Sequence, residues 1–330
     1  MATALSDVNY QSEIFRDTLQ GEFTNRLAFI NSIMIEAPEE MISSTVKGHF
    51  VSVPKWKALS GTLVPITTGM STSFNTLQDY KDIGVWIERE VAFDFESIIP
   101  VIAGVQKDGT REVARQFGQY LAEKLAGIAY NVAKGVFATE LLTSHLYDDS
   151  GNTININGVV AAKQKLGDNQ GLFTAILMNS KVEADALVAK ILTYDKAAVD
   201  SYVTGRVGTI LGMSPQISDL LTAVSAVYNN YIGLPGSMIY KFRQRDRHSL
   251  TNANIIDIGN NIEMELYRNS ISSGGIDGII FRFSALAHVP GVKWGVSTTN
   301  PTDAQLATGS NWTKVANDDK LIKLVCYQCI

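Results

Sequence analysis

Four histidines and two cysteines are the first residues to test for chemistry in this chain of 330 residues. His49, His145, His248 and His288 are widely scattered, and none lies in an HExxH or HxH context that would aim two ring nitrogens at one metal. Cys326-Tyr327-Gln328-Cys329 has CxxC spacing. A zinc site needs four ligands, however, and no second pair exists. A redox pair would sit at a helix start after a strand, whereas these residues read as a terminal strand. They are read as structural cysteines, with an intersubunit disulfide as the alternative. No GxxxxGK(S/T) phosphate loop occurs, and Gly274-Gly275-Ile276-Asp277-Gly278 lacks dinucleotide-binding spacing. Gly212-Met213-Ser214 and Gly69-Met70-Ser71 lack the closing glycine of a nucleophile elbow. The pairs Glu88/Glu90 and Asp94/Glu96 fall on the polar edge of a strand and read as a solvated face. Arg243-Gln244-Arg245-Asp246-Arg247 is the one basic cluster, either a loop salt-bridge network or a contact to a subunit or phosphate. Nothing satisfies the requirement for nucleophile, base and oxyanion donors together. The expectation is a non-enzyme with no catalytic residue, no cofactor and no metal.

The composition agrees. A net charge of -5 argues against general nucleic-acid binding, which favours a basic face. Apolar runs such as Ile98-Ile99-Pro100-Val101-Ile102-Ala103 are far short of a membrane span. The start, MATALSDVNY, has no basic or apolar region of a secretory signal. A soluble protein of a reducing compartment is expected.

The elements are more informative than the chemistry. From Thr110 to Leu142 apolar side chains recur at Val113, Phe117, Leu121, Leu125, Ile128, Val132 and Val136, one face of a 3.6-residue period. This predicts one long helix of roughly 50 Å, with Thr110 as its N-cap and Gly118, Gly127 and Gly135 as points where it could bend. A body of this size has a radius of gyration of about 20 Å, so the helix is a spine running through it.

Before the spine, residues 1–45 read as an arm with two short amphipathic segments, Tyr10–Leu19 and Phe23–Ile35, broken at Ala37-Pro38. Residues 46–97 then change to period two. Odd positions from Ile83 to Phe95 are apolar except Arg89, and even positions are polar except Gly84, Trp86 and Ala92. Paired with Val46–Lys57 across LSGTLVPITTGMSTSF, this stretch would form an extended β-ribbon. A lone ribbon is marginally stable in water, so it must lie on its own domain or on a neighbouring subunit. Trp86, on the polar face, points to a neighbour.

After the spine come a turn-rich stretch, His145–Asn157, a strand, Phe173–Met178, and a helix opened by a capping box, Ser180-Lys181-Val182-Glu183. Gly205–Asp219 reads as two strands joined through Gly212, and Met238–Phe242 as another. Asn261–Arg268, Gly278–Val289 and Leu321–Ile330 are strand-like, with Pro290–Asp319 a loop carrying Trp294 and Trp312.

Arm, ribbon, spine helix, small α/β region and returning strands, in that order, resemble the major capsid proteins of tailed bacteriophages, the Hong Kong 97-type fold. LMNSKVEADAL followed by GTILGMSPQISD is similar to the strand–helix and hairpin passages of such coat proteins. The resemblance implies an α+β fold divided as N-terminal arm (1–45), extended loop or E-loop (46–97), peripheral domain with the spine (98–154), axial domain (155–260) and a return to the peripheral domain (261–330). It implies a coat protein that assembles with itself, as pentamers and hexamers, into the icosahedral shell around packaged double-stranded DNA. The DNA would be contacted weakly or not at all. A separate scaffolding protein, a portal and optional decoration proteins are the implied partners, with assembly in the host bacterial cytoplasm and residence in the virion. Trp86, Trp56, Arg243, Arg245 and Arg247 are the subunit-contact candidates. Two other readings are an encapsulin-like cellular nanocompartment shell and an enzyme or binding protein with an unrecognised site.

Overall fold

The computed structural model describes residues 17–23, 32–37, 48–57, 59, 79–95, 107–194, 208–243, 255–257, 262–269 and 276–330. A short helix, α1 (residues 17–23), precedes strand β1 (Met34–Glu36). The ribbon is β2 (Phe50–Trp56) and β3 (Asp79–Val85), followed directly by β4 (Ile87–Phe95). The spine is α2 (Lys107–Ala138), which leads through β5 (Leu146–Asp148) to α3 (Ile156–Gln164), β6 (Ala175–Met178) and α4 (Ser180–Val188). Short strands β7 (Thr193–Tyr194), β8 (Gly208–Thr209) and β9 (Ser214–Ile217) come next, then β10 (Tyr228–Gly233) and β11 (Met238–Arg243). The chain closes with β12 (Ile255–Asp257), β13 (Glu263–Asn269), β14 (Ile276–His288), β15 (Val292–Trp294), α5 (Asp303–Leu306), β16 (Trp312–Lys314) and β17 (Leu324–Cys329).

Two sheets share the spine. One has six strands, in order β1-β11-β14-β13-β12 with β4 on the free side of β14. The other has five, in order β5-β17-β10-β6-β9. Phe117, in the first half of α2, packs on Phe281 of the six-stranded sheet with ring centroids 4.8 Å apart. Phe137, near its end, packs on Tyr231 of the five-stranded sheet at 5.7 Å. The expected stripe is buried from Phe117 to Val136, and so is a second stripe, Ala122, Ala126, Ala129 and Ala133. At 3.6 residues per turn the two together close off roughly 200° of the helix. Ala126, Ala129 and Ala133 stand against Leu177, Tyr231 and Leu324. Small side chains there let the second sheet come close, which a count of large apolar residues does not reveal.

The five-stranded sheet is itself covered on its far face. Ala175, Leu177, Tyr231, Leu324 and Cys326 belong to the core around the spine. The alternate residues Ile176, Met178, Ile232, Val325, Tyr327 and Cys329 join Val159 and Ala162 of α3 and Val182 and Ala186 of α4 in a second core. Strand alternation thus divides one sheet between two cores. Cys326 and Cys329 are free, buried thiols, one in each core. Burial, with the nearby Cys329 adding to it, pushes the Cys326 thiol well up, and burial pushes Cys329 up to about 11, so neither is poised to react.

Several expectations change in the structure. The spine begins at Lys107, ahead of the expected cap at Thr110, and ends at Ala138, where Leu141 N bonds back to Val136 O. It does not break at its glycines. A Cβ at Gly118 would stand 2.8 Å from the Leu19 carbonyl of α1, and one at Gly135 would overlap the Leu306 carbonyl and the Trp312 indole. These two glycines are points of close approach. The cap of α4 is Asn179, whose side chain accepts from Lys181 N, one residue before the expected Ser180. Met34–Glu36, expected in an amphipathic segment, is a strand parallel to β11. The joint at Gly212 is a tight turn with positive φ at Leu211 and Gly212, 49° and 81°, as a hairpin of this kind requires.

Pro290–Asp319, expected as a loop, is folded. β15 pairs with β16, and Trp294 meets Trp312 edge-on at 5.1 Å. Thr302 and Gln305 form a full capping box for α5, a T-x-x-Q signal that was present in the sequence. The terminal strand β17 also lies away from β14, between β10 and β5 in the five-stranded sheet.

The glycines give a test of sign. Gly127 has open space around a would-be Cβ, so Gly127→Ala should stabilise the unassembled protein by up to about 1 kcal/mol. Gly135→Ala gains the same helix propensity but must displace Leu306 and Trp312, at a cost of about 1–3 kcal/mol, and should destabilise. Urea unfolding of the two variants would separate them. Equal gains would place Trp312 elsewhere.

Candidate functional site

Two of the side chains singled out in the sequence, Trp86 and Arg243, meet at the root of the ribbon. β2 and β3 pair from Phe50↔Val85 to Trp56↔Asp79. The long period-two stretch is not one ribbon strand. It bends at Trp86, whose amide donates to His49 O at 2.8 Å, and the next nine residues leave the ribbon to pair with β14 from Ile87↔Ala285 to Phe95↔Asp277. The middle of the ribbon, 60–78, and Arg245, Arg247 and His248 lie outside the described residues.

Trp86, expected on an exposed polar face, is 3% exposed within its own chain. It forms a small core with Val51 of β2 and Leu286 of β14, and the Arg243 guanidinium lies 4.6 Å from its ring centroid. The polar face of the ribbon is buried here because it lies on the outer face of β14. A Cβ at Gly84 would stand 2.7 Å from Leu286 Cδ1, so a side chain here would make Leu286 shift. Trp86 therefore has little surface left for a neighbour. Trp56, at the far end of β2, is 70% exposed, and Leu59 beyond it 83%.

Arg243 is not part of a loop network either. It ends β11, and its fork is filled from within the chain. Nε donates to Ser284 Oγ at 3.1 Å, Nη1 to Gly48 O at 2.6 Å and Nη2 to Glu88 Oε1 at 3.2 Å. Glu88 and Glu90, expected to be simply solvated, each hold an arginine. Glu90 takes Arg282 at 2.5 Å, and Arg282 also reaches Glu265 at 2.5 Å. Burial acts to lower the Arg282 guanidinium, but its two carboxylates prevail and raise it. Beside Glu88, Arg89 ties β4 to the 300–303 turn through Asn300 Oδ1 at 3.0 Å, Pro301 O at 2.7 Å and Asp303 Oδ1 at 2.8 Å.

A second polar cluster at the root was not anticipated. Asp82 of β3 is 1% exposed. Its Oδ2 accepts from the Gly291 amide at 2.8 Å and faces Lys55 Nζ at 3.4 Å. Its Oδ1 lies 3.7 Å from His288 Nε2, too far for a hydrogen bond and close enough for a charge pair. Burial alone would push the Asp82 carboxyl up, but His288, the Gly291 amide and Lys55 outweigh it and hold it below the usual carboxylate range. Tyr80 is raised by burial and by the Asp82 charge. Nothing in the sequence marked Asp82 beyond its place in the alternation, because two of its partners, His288 and the Gly291 amide, lie at and just beyond the far end of β14.

His145 closes the other end of the body. Its Nε2 donates to the carbonyls of Asp319 at 2.9 Å and Ile322 at 3.1 Å, while Nδ1 lies 2.7 Å from Ser144 Oγ. Burial pushes the imidazole down, as suits a neutral ring fastening a turn.

The architecture defines the class. A solved structure from Mycobacterium phage Adephagia matches 92% of this chain and 89% of its own, with a TM-score of 0.51 and 11% identity. The capsid of Ralstonia phage GP4 matches 80% of this chain and 86% of its own, also with a TM-score of 0.51 and 11% identity. At such identities the likeness speaks for the fold alone, and that fold is the α+β Hong Kong 97-type of phage capsids. The chain belongs to the Major capsid protein 13-like (Gp13-like) family, whose profile matches residues 40–323. The major capsid protein of Bacillus phage SPP1 is similar along the whole length, 25% identical over 340 residues that cover 99% of this chain and 98% of the relative. The chain is thus a major capsid protein of the tailed-phage type and a component of the virion. The encapsulin-like reading is not favoured.

The two tryptophans of the ribbon should behave oppositely in the unassembled protein. Trp86→Ala empties a buried site and removes the Arg243 stack, and should cost about 3–5 kcal/mol. Trp56→Ala should stay within about 0.5 kcal/mol of wild type, as exposed positions do. Chemical denaturation of both decides it, and equal effects would refute the assignment of the root.

Proposed function

We propose that this chain assembles with itself, as pentamers and hexamers, into an icosahedral shell around packaged double-stranded DNA, and that the ribbon carries much of the contact between subunits. In this reading residues 1–45 are the arm, 46–97 the E-loop, 98–154 with 261–330 the peripheral domain and 155–260 the axial domain. Four strands are exceptions: β11 and β12 of the axial span join the six-stranded sheet, and β5 and β17 of the peripheral span join the five-stranded one.

The observation that carries the ribbon's role is its asymmetry. Its root is fastened by Trp86, Arg243 and Asp82, whereas its outer end presents Trp56 at 70% and Leu59 at 83% exposure. A large apolar side chain held out on a fixed arm gains most by being buried on another copy. Head-to-tail contacts of this kind close into rings and shells. Trp56 is accordingly the favoured subunit contact. Arg245 and Arg247 remain candidates beside it, whereas Trp86 and Arg243 act by holding the arm.

The mildly acidic balance suits a wall that surrounds DNA and grips it weakly. The role is structural and needs no catalytic residue or cofactor. A separate scaffolding protein, a portal and optional decoration proteins complete the reading, with assembly in the host bacterial cytoplasm.

Light scattering and negative-stain microscopy of protein co-expressed with the scaffolding protein test the reading. Wild type should give megadalton shells. Trp56→Ser should lower the yield of particles by about tenfold or more, the effect of losing about 1.4 kcal/mol per contact, with the melting temperature of the free subunit unchanged. Normal yields from Trp56→Ser would remove Trp56 from the subunit contact. A persistent monomer in the wild-type sample would count against the shell itself.

A further inference from the structure

The five-stranded sheet is completed by a strand that comes late in the chain. β5, β6, β9 and β10 all precede β17 in sequence, yet β17 lies inside the sheet, between β5 and β10. It pairs antiparallel with β10 from Leu324↔Gly233 to Cys329↔Tyr228, and parallel with β5 from Cys326↔Leu146 to Gln328↔Asp148. β5 has no other strand partner among the described residues. We propose that β17 is a completion switch: the six-stranded sheet forms without it, whereas the five-stranded sheet and its covering helix α3 close only when β17 enters.

The burial of β17 shows how much waits for it. Leu324, Val325, Cys326, Tyr327 and Cys329 are all fully buried. Leu324 and Cys326 fill the core around the spine, and Val325, Tyr327 and Cys329 fill the second core. Without the strand, both faces of the sheet lose their contents together. Backbone groups of β5 and β10 that face the gap lose their partners as well, and an unpaired polar group in such a place is costly. α3 is tied to the same strand. The Tyr327 hydroxyl donates to Asp149 Oδ2 at 3.1 Å and accepts at 3.4 Å from the amide of Asn155, the N-cap of α3. Ser237 Oγ donates to Lys323 O, Cys326 N to His145 O at 2.9 Å, and Ile330 N to Asn152 O at 3.0 Å. The unfinished sheet therefore presents a slot for one extended segment, with hydrogen-bonding edges on both sides.

The six-stranded sheet has no such dependence. None of its strands pairs with β17, and every one of them precedes β17 in the chain. The first half of the spine reaches this sheet through Phe117 on Phe281. The body thus divides into two cooperative units, one of which can form before β17 has been made. A chain stopped short of Leu324 carries the six-stranded sheet beside an open slot. Under the shell reading above, such a chain lacks a finished subunit's surface and stays out of the particle. The folding claim does not rest on that reading, and its test involves no assembly.

Hydrogen exchange on ribosome-bound chains provides the test. Residues 1–330 are followed by a Gly/Ser linker and an arrest sequence. One linker falls just short of freeing β17 from the exit tunnel, and the other is long enough to free it. With the short linker, peptides covering 146–164 and 228–233 should exchange about tenfold faster than with the long one. Peptides covering 277–288 should be equally protected in both. Equal protection of 146–164 and 228–233 with the two linkers overturns the proposal. Loss of protection across 277–288 with the short linker overturns it too, since the body would then be a single folding unit.

Discussion

The burial of one long helix between two sheets is the constraint on which the remainder depends. A helix of 32 residues is too long to be covered by a single sheet of ordinary strands. The chain covers it twice, with Phe281 and Phe283 on one side and Tyr231, Leu324 and Cys326 on the other. Each sheet then needs its own outer cover. The five-stranded sheet has α3 and α4, and part of the six-stranded sheet has the ribbon root. Residue size follows from this arrangement. Large apolar side chains fill the helix face toward β14, alanines the face toward β6 and β10, and glycines the two places where α1 and Trp312 press against the helix.

The ribbon root is where packing and charge meet. Trp86 and Leu286 supply apolar area, but charged groups surround them, among them Arg243 with Glu88, about a quarter exposed. Partly exposed ion pairs add little to stability, commonly under about 1 kcal/mol. Their value here is direction. Arg243 joins β11, β14, β4 and the 48–49 turn through one guanidinium, which fixes the angle at which the ribbon leaves the body. A capsid subunit can depend on such an arm only if the root holds while the outer end finds its place.

Much of this was legible in the sequence, for a physical reason. The spine's stripe from Phe117 to Val136 and the alternation from Ile83 to Phe95 are local patterns, and local patterns survive in a tertiary context. What was not legible depends on distant contacts. The alternation runs straight through Trp86 and cannot show that the strand changes partners there, since the bend is imposed by β14 nearly two hundred residues later. Burial of Asp82 and Trp86 on the polar face has the same origin. The Asn179 cap was missed by one residue because Ser180 and Asn179 are both good caps. The fold of 290–319 was hidden by its turn-rich composition, although Thr302 and Gln305 announced α5. Of the site, the arginine and tryptophan were singled out for a subunit contact and proved to face each other inside the chain.

A reconstruction of the assembled particle at side-chain resolution tests the account most directly. It should show the spine and both sheets as described, Trp86 enclosed by Val51, Leu286 and Arg243 of its own chain, and Trp56 buried on a neighbouring subunit. A shell in which Trp86 has left its own chain to fill a neighbour's surface, or in which Trp56 faces solvent, would contradict it.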